Sequence, residues 1–312
     1  MSNALEIVSV NTSPEKGTVK SPQAAVCVDA LGIVGDAHAG PWHRQVSLLG
    51  VENVERFSSQ SQIAVEPGAF GENLTVRGLP VRDTALLDRF QFGEVELEVT
   101  QIGKKCHGTG CTIFQKVGKC VMPAEGIFCR VRRGGTLKAG QTGCHLRRSL
   151  RIEAITLSDR AAAGIYEDRS GPRIAEMARQ FCEEHRWQAE IRTTLIADDA
   201  ARLQKAVREC IASGADLVFT TGGTGVGPKD HTPDAVAPLC EKLIPGIMEN
   251  IRMKFGAENP NALLSRSIAG VIGKTQVYAL PGSVRAVEQY MGEILKTLEH
   301  LIFMLRGIDA HH

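Results

Sequence analysis

The chain has 312 residues, of which 43% are hydrophobic and 23% charged, a globular composition with length enough for two domains. Lys and Arg number 36 against 35 Asp and Glu, so no charge excess draws the protein toward nucleic acid or an acidic membrane, and any basic site must be local. No stretch approaches the roughly 20 apolar residues that span a bilayer, and the opening MSNALEIVSVN has no signal-peptide character; the expectation is a cytoplasmic protein binding neither nucleic acid nor membrane.

Up to about residue 140, apolar residues alternate or cluster in short runs broken by glycine, which predicts a compact, mostly β domain, a barrel or a sandwich. In chain order, strands are expected at Leu5 to Val10, Gln45 to Leu49 and Asn73 to Val76. Two more follow, one where Val95, Leu97 and Val99 interleave with Glu94, Glu96 and Glu98, and one at Phe128 to Val131 ahead of the Gly134-Gly135 turn. Before the second strand, Asp36, His38, His43 and Arg44 form a polar cluster around Gly35 and Gly40, in which Arg44 reads as a phosphate ligand or as part of a structural network. Nine cysteines are too few for a disulfide scaffold, and Cys106, Cys111, Cys120 and Cys129 crowd into one region. Cys106 follows Lys104 and Lys105 and adjoins His107, positive neighbours that favour thiolate. It reads as a sulfur carrier, as a zinc ligand with Cys111, Cys120 and His107, or as a packed thiol, the reading preferred for Cys27, Cys129 and Cys144.

The period changes between Gln141 and Leu150, which sets domains at 1–145 and 150–312. Beyond it, apolar runs alternate with amphipathic helices, the pattern of β-α-β units around a parallel sheet. Strands are expected at Ile152 to Leu157, Ile191 to Ile196 and Leu217 to Thr220. One helical stripe comprises Ile174, Met177, Ala178 and Phe181, and another Leu203, Ala206, Val207, Cys210 and Ile211. A final helix from about Ser283 carries Val284, Val287, Met291, Ile294, Leu298 and Leu301 on one face. Cys182 and Cys210 read as packing or helix-surface thiols.

The segment TTGGTGVGPKDHTPDA (Thr220 to Ala235) joins a strand to a helix through glycines, an arrangement that offers backbone N–H groups and a helix dipole to a phosphate. Thr232 reads as the N-cap, Pro233 as the first helical residue, and Asp199 and Asp234 as helix-start residues. A Walker A loop is excluded because Pro228, Lys229 and Asp230 stand where Lys then Ser or Thr is required, and a dinucleotide loop because G-x-G-x-x-G is absent. A carboxylate at Asp230 suggests instead that Mg²⁺ organises the phosphates.

That loop, together with TLSDRAAAGIYEDRSGP (Thr156 to Pro172), LLSRSIAGV (Leu263 to Val271) and ALPGS (Ala279 to Ser283), resembles the MogA/MoaB molybdopterin adenylyltransferases. The resemblance implies a three-layer α/β fold with a largely parallel sheet, substrates molybdopterin and ATP, Mg²⁺ as cofactor, and a homo-oligomer that is a trimer or higher. It implies Asp198, Asp230 and Asp159 as catalytic carboxylates, with Asp198 and Asp230 holding the metal. It further implies Ser158, Thr221, Gly222, Gly223, Thr224, Gly225, Ser265, Pro281, Gly282 and Ser283 around the nucleotide and pterin.

The first half resembles the MOSC domain through VGDAHAGPWHRQVSLL (Val34 to Leu49), PGAFGENLTV (Pro67 to Val76), FGEVELEVTQIGKKCHGTGC (Phe92 to Cys111) and CVMPAEGIFCRVRRGG (Cys120 to Gly135). This implies a MOSC-like barrel that binds molybdenum cofactor or carries sulfur, with Cys106 as its functional cysteine. The combined expectation is a bifunctional protein of molybdenum cofactor biosynthesis, partnered by a sulfur donor or a molybdenum insertion enzyme. The alternative is a non-catalytic molybdopterin carrier.

Overall fold

The structure, a computed structural model, describes residues 5–105 and 120–309. They form two compact units, one comprising the residues up to Arg148 with those from Ile308 onward, the other Ser149–Gly307. Among the described residues no helix is long and apolar enough to cross a membrane, and the cysteines are free thiols.

The first unit contains β1 (Leu5–Thr12), β2 (Ser21–Gln23), β3 (Ala25–Asp29), β4 (Gly32–Ile33), β5 (Val46–Gly50), β6 (Leu74–Arg77), β7 (Arg89–Phe92), β8 (Val95–Ile102), β9 (Ile127–Arg133), β10 (Gly135–Lys138) and β11 (Thr142–Leu146). Among the described residues one sheet runs in the order β11-β7-β8-β9-β5-β6-β1-β2, and β11 returns to pair with β1, Leu5 opposite Gly143 and Glu6 opposite Thr142. That pairing closes a barrel, which removes the free edges an open sheet would expose. Closure needs a glycine, since a Cβ at Gly143 would lie 2.4 Å from the Phe92 ring. The interior is filled by Ile7, Leu48, Leu74, Phe90, Leu97 and Val99, all fully buried. Glu98 departs from the expected outward alternation; it is buried and paired with Arg130. Cys27 departs the other way, standing on the exposed side of β3.

The second unit contains β12 (Ser149–Leu157), β13 (Gln188–Ile196), β14 (Leu217–Thr221), β15 (Lys242–Leu243), β16 (Ile268–Ile272) and β17 (Thr275–Leu280), in the order β13-β12-β14-β17-β16-β15. The first four strands are mutually parallel and the last two antiparallel. Each strand alternates its side chains between two faces. Ile155, Leu157, Val218 and Val277 pack under the helices Ala200–Ala212 and Thr232–Val236. Their sheet neighbours Phe219 and Tyr278 stack on one another instead, centroids 5.3 Å apart. The helices Ser170–Glu184 and Val284–Leu305 pack together and against the sheet, the second burying Ile302 and Phe303 with Leu301 only half-buried. The chain leaves β12 for β13 on one side and returns to β14 on the other. The C-terminal ends of these strands therefore meet at a switch point, the usual crevice for a ligand in an open α/β sheet.

In the barrel, Lys20 Nζ lies 2.7 and 2.6 Å from the two Asp36 carboxylate oxygens, and both side chains are buried. Burial alone would raise the Asp36 carboxyl, but hydrogen bonds from His38 and the neighbouring ammonium of Lys20 outweigh it and hold it well below the usual carboxylate range. Its contribution to stability is thus complete above that range and is lost as the pH falls from there through the depressed folded value. Asp36→Ala strands a buried ammonium and should cost about 3–5 kcal/mol, whereas the double replacement Lys20→Met with Asp36→Leu should cost much less. Urea unfolding followed by Trp42 fluorescence in a Trp187→Phe background measures both.

Candidate functional site

The site is built from the ends of the four parallel strands β12, β13, β14 and β17. β14 runs into Gly222 (φ +106°) and Gly223 (φ +60°), conformations that side chains other than glycine rarely adopt. A Cβ at Gly222 would lie 2.4 Å from the Leu157 carbonyl oxygen at the end of β12. From the other side, the Gly222 amide donates to Leu280 O at 3.0 Å and the Thr221 hydroxyl to Pro281 O at 2.8 Å, tying in the end of β17. Thr232 closes the loop, its hydroxyl donating to Gly222 O at 2.8 Å and its amide to Gly223 O at 3.0 Å. The expected capping role of Thr232 is corrected accordingly: the short helix Thr232–Val236 follows His231 without a side-chain cap, because the Thr232 hydroxyl is used across the loop.

Asp159 and Asp198 stand at the ends of β12 and β13 and bind reciprocally. The Asp159 amide donates to Asp198 Oδ2 and the Asp198 amide to Asp159 Oδ1, both at 3.0 Å. Lys229 Nζ reaches back from the loop to Asp159 Oδ2 at 2.9 Å. The hydrogen bond from Lys229, then that from the Asp198 amide, lowers the Asp159 carboxyl, and the same contact raises the Lys229 ammonium. Asp230 folds onto its own loop, Oδ2 accepting from the Gly227 amide at 2.8 Å. Among the described residues no group of three or more His, Cys, Asp or Glu is arranged to hold a metal. Mg²⁺ takes as few as one or two carboxylates and completes its shell with phosphate and water, so single carboxylates of this kind fit it by their chemistry. Asp198 and Asp230 each commit one oxygen to a backbone N–H and leave the second for such a role.

A cleft of about 390 Å³ opens at this edge, lined among others by Thr156, Ser158, Tyr166, Asp168, Ser170 and Ser283. Two helices begin at its wall. Ser283 caps Val284–Leu305 by accepting from Ala286 N at 3.2 Å, and Asp168 Oδ1 accepts from the amides of Ser170 and Gly171 at 3.0 and 3.2 Å ahead of Ser170–Glu184. Helix N-termini carry partial positive charge, which suits anionic groups. Ser158 accepts from Ala161 N at 3.2 Å and shares a 2.7 Å hydrogen bond with the Tyr166 hydroxyl. The Thr156 hydroxyl is buried in this wall without a hydrogen-bond partner among the described residues. A smaller hollow, lined by Asp198, Lys229, His231 and Thr232, lies beyond Leu157, which borders both.

The residues marked from sequence are therefore distributed. Ser158, Gly282 and Ser283 line the cleft and Asp198 the hollow. Thr221, Gly222, Gly223 and Pro281 form the turn at the strand ends, while Thr224 and Gly225 lie further along the loop. Ser265 is bonded to the Ser267 hydroxyl at 2.7 Å, and Asp234 to Arg266. Thr156, Tyr166, Asp168, Ser170, Lys229 and Arg266 were not legible as site residues; a carboxylate two positions before Ser170-Gly171 is the one local signal, that of a helix start.

In the barrel, Cys106, His107 and Cys111 lie outside the described residues. Arg44 is placed over the Trp42 ring, its guanidinium carbon 4.8 Å from the centroid, with a buried Nε that has no hydrogen-bond partner among the described residues. Burial lowers its pKa. Burial likewise raises Cys182 to about 12 and Cys210 to about 11, so both thiols stay protonated.

The family described as "Probable molybdopterin binding domain" matches residues 153–300, and the MOSC domain family matches residues 35–142. A molybdenum cofactor biosynthesis bifunctional protein of Synechococcus elongatus is 41% identical over 156 residues, which are 50% of this chain and 47% of that protein. The chain thus spans about half the length of that relative. A molybdopterin adenylyltransferase of Helicobacter pylori J99 is 31% identical over 160 residues, 51% of this chain and 89% of that protein. Another of that name, from Pyrococcus furiosus, is 34% identical over 160 residues, 50% and 90% of the respective chains.

Replacing Gly222 by Ala forces a left-handed residue, costing about 1–2 kcal/mol, and adds the collision with Leu157. Its melting temperature should fall by several degrees. Gly246→Ala, where a Cβ meets nothing within 4 Å, should leave melting unchanged or raise it. A Cβ at Gly225 would lie 2.7 Å from Asp230 Oδ2, so Gly225→Ala should displace that carboxylate with little change in melting. Thermal unfolding followed by Trp187 fluorescence in a Trp42→Phe background compares the three.

Proposed function

The chain belongs to the molybdopterin adenylyltransferase family through its second half and carries a MOSC domain in its first, and on that premise we propose that it adenylylates molybdopterin with MgATP. The terminal phosphate oxygen of molybdopterin forms a bond to the α-phosphorus of ATP, and the bond from that phosphorus to the bridging oxygen breaks, releasing pyrophosphate. The observation that supports this reading is a cleft, a glycine turn and the reciprocally bonded Asp159 and Asp198 at one sheet edge, with Asp230 in the loop next to Lys229, which reaches Asp159.

Such a transfer needs in-line placement and charge neutralisation more than covalent help. In this reading the turn at Gly222 and Gly223 brings backbone close to the phosphates, and Lys229 exchanges Asp159 for a phosphate oxygen. The N-terminus of the helix Val284–Leu305 favours anionic groups in the cleft, that of Ser170–Glu184 being already met by Asp168, and the Thr156 hydroxyl gains the partner it lacks. Asp198 and Asp230 are the residues that would hold Mg²⁺, which when bound supplies charge neutralisation to the phosphates. Thr224, Ser265 and the lining residues Ser158 and Ser283 complete the proposed pterin and nucleotide contacts. The MOSC half takes the cofactor-binding or sulfur-carrying role, with Cys106 as its thiolate and Arg44 as an anion ligand.

Purified protein incubated with molybdopterin and MgATP should yield adenylylated pterin and pyrophosphate; pterin binding with no pyrophosphate released would leave a carrier instead. Asp198→Asn and Asp230→Asn should each lower turnover by about 100-fold or more while pterin affinity is largely kept, since they remove charge at the reacting phosphates. Cys106→Ala should leave adenylyl transfer unchanged, because every proposed catalytic group lies after residue 150; a loss of turnover in that variant would overturn the division of labour.

A further inference from the structure

Arg266 lies between the turn Pro260–Leu264 and β16, remote in sequence from the glycine loop, yet it binds the loop along its length. Its amide donates to Thr224 O at 2.8 Å and its Nε to Gly225 O at 2.8 Å. One terminal nitrogen donates to Asp230 O, and the other donates to both carboxylate oxygens of Asp234 at 2.9 and 3.0 Å. Two carbonyls and one carboxylate are thereby gathered on a single planar fork. The carbonyl oxygens of Gly225 and Asp230, held by the guanidinium, are not available to repel an incoming phosphate. The same grip fixes the turn in which Asp230 Oδ2 accepts from Gly227 N. The fork geometry matters because guanidinium presents five N–H donors in one plane on three separate nitrogens, whereas an ammonium carries its three donors on a single nitrogen and does not span acceptors spaced as Gly225 O, Asp230 O and the Asp234 carboxylate are.

We infer that Arg266 is a positioning residue that sets nucleotide affinity by holding the Thr224–Asp230 turn in its phosphate-accepting shape, an inference that rests on the proposed nucleotide role of this loop. It touches neither substrate and neutralises no phosphate itself. The charge at position 266 is therefore not sufficient, and lysine does not substitute for arginine.

The test compares Arg266→Ala, Arg266→Lys and wild type by calorimetric titration with MgATP and separately with molybdopterin, alongside melting temperature and steady-state kinetics. Both variants should weaken ATP binding by about tenfold or more and raise the KM for ATP, with molybdopterin affinity changed by less than about twofold. Melting should shift by less than about 4 °C. Wild-type affinity for ATP in Arg266→Lys would overturn the inference, because charge alone would then suffice. A parallel loss of both affinities together with a large drop in melting would overturn it as well, assigning Arg266 to general scaffolding. If Arg266→Ala does not fold, Asp234→Asn tests the same clamp from its other end and should weaken ATP binding in the same sense; unchanged ATP affinity there would count against it. A wild-type protein that binds molybdopterin but no ATP would instead remove the adenylylation reading on which the inference stands.

Discussion

Gly222 is the point at which the catalytic half is joined. Three parallel strands end beside it, and the space between the Leu157 carbonyl, the Leu280 carbonyl and Gly282 admits a backbone without a side chain. Parallel strands of one sheet end at one edge, so the carboxylates that follow β12 and β13 arrive at this edge as well. The turn at Gly222 also sends the chain outward, and its return at Thr232 makes the loop a closed ring of hydrogen bonds with no dependence on a side-chain cap.

The electrostatics of the edge follow from this geometry. Asp159 and Asp198 are not a bare pair of like charges: each accepts a backbone N–H from the other, and Lys229 offsets one of them. The helix N-terminus at Val284 adds partial positive charge to the cleft on one side of Leu157, where Asp168 offsets that of the helix from Ser170, while the hollow on the other side carries Asp198 and Lys229.

The barrel obeys a different constraint. Its wall closes through the pairing of β1 with β11, and closure allows charged groups such as Lys20, Asp36 and Glu98 to be buried beside their partners. Such buried pairs contribute little net stability against apolar residues of equal volume, and their removal one at a time is costly. They fix which arrangement of the chain is tolerated. Arg44 has one buried nitrogen without a hydrogen-bond partner among the described residues, which is what supports its proposed role as an anion ligand.

Much of this was legible in the sequence, for a local reason. Period 2 in Val95, Leu97 and Val99 and period 3.6 in Leu203, Val207 and Cys210 report which face of an element is apolar, and this marks strand and helix before any contact is known. Glycines at 222 and 223 mark a turn at a strand end, and Ser158, Asp199 and Ser283 are short polar residues at helix starts. What local pattern does not carry is the partner. Nothing local to Lys20 reports Asp36, sixteen residues away, against which the barrel sets it. Thr232 reads as a cap until Gly222 competes for its hydroxyl, and Glu98 reads as outward-facing until Arg130 arrives from the neighbouring strand. Arg266 is a further case, its side-chain acceptors lying 32 to 41 residues earlier in the chain. Hydrogen bonds and ion pairs depend on distances of a few ångströms between atoms of remote segments, a quantity that periodicity along one chain does not encode and that only the closed barrel and the assembled sheet edge decide.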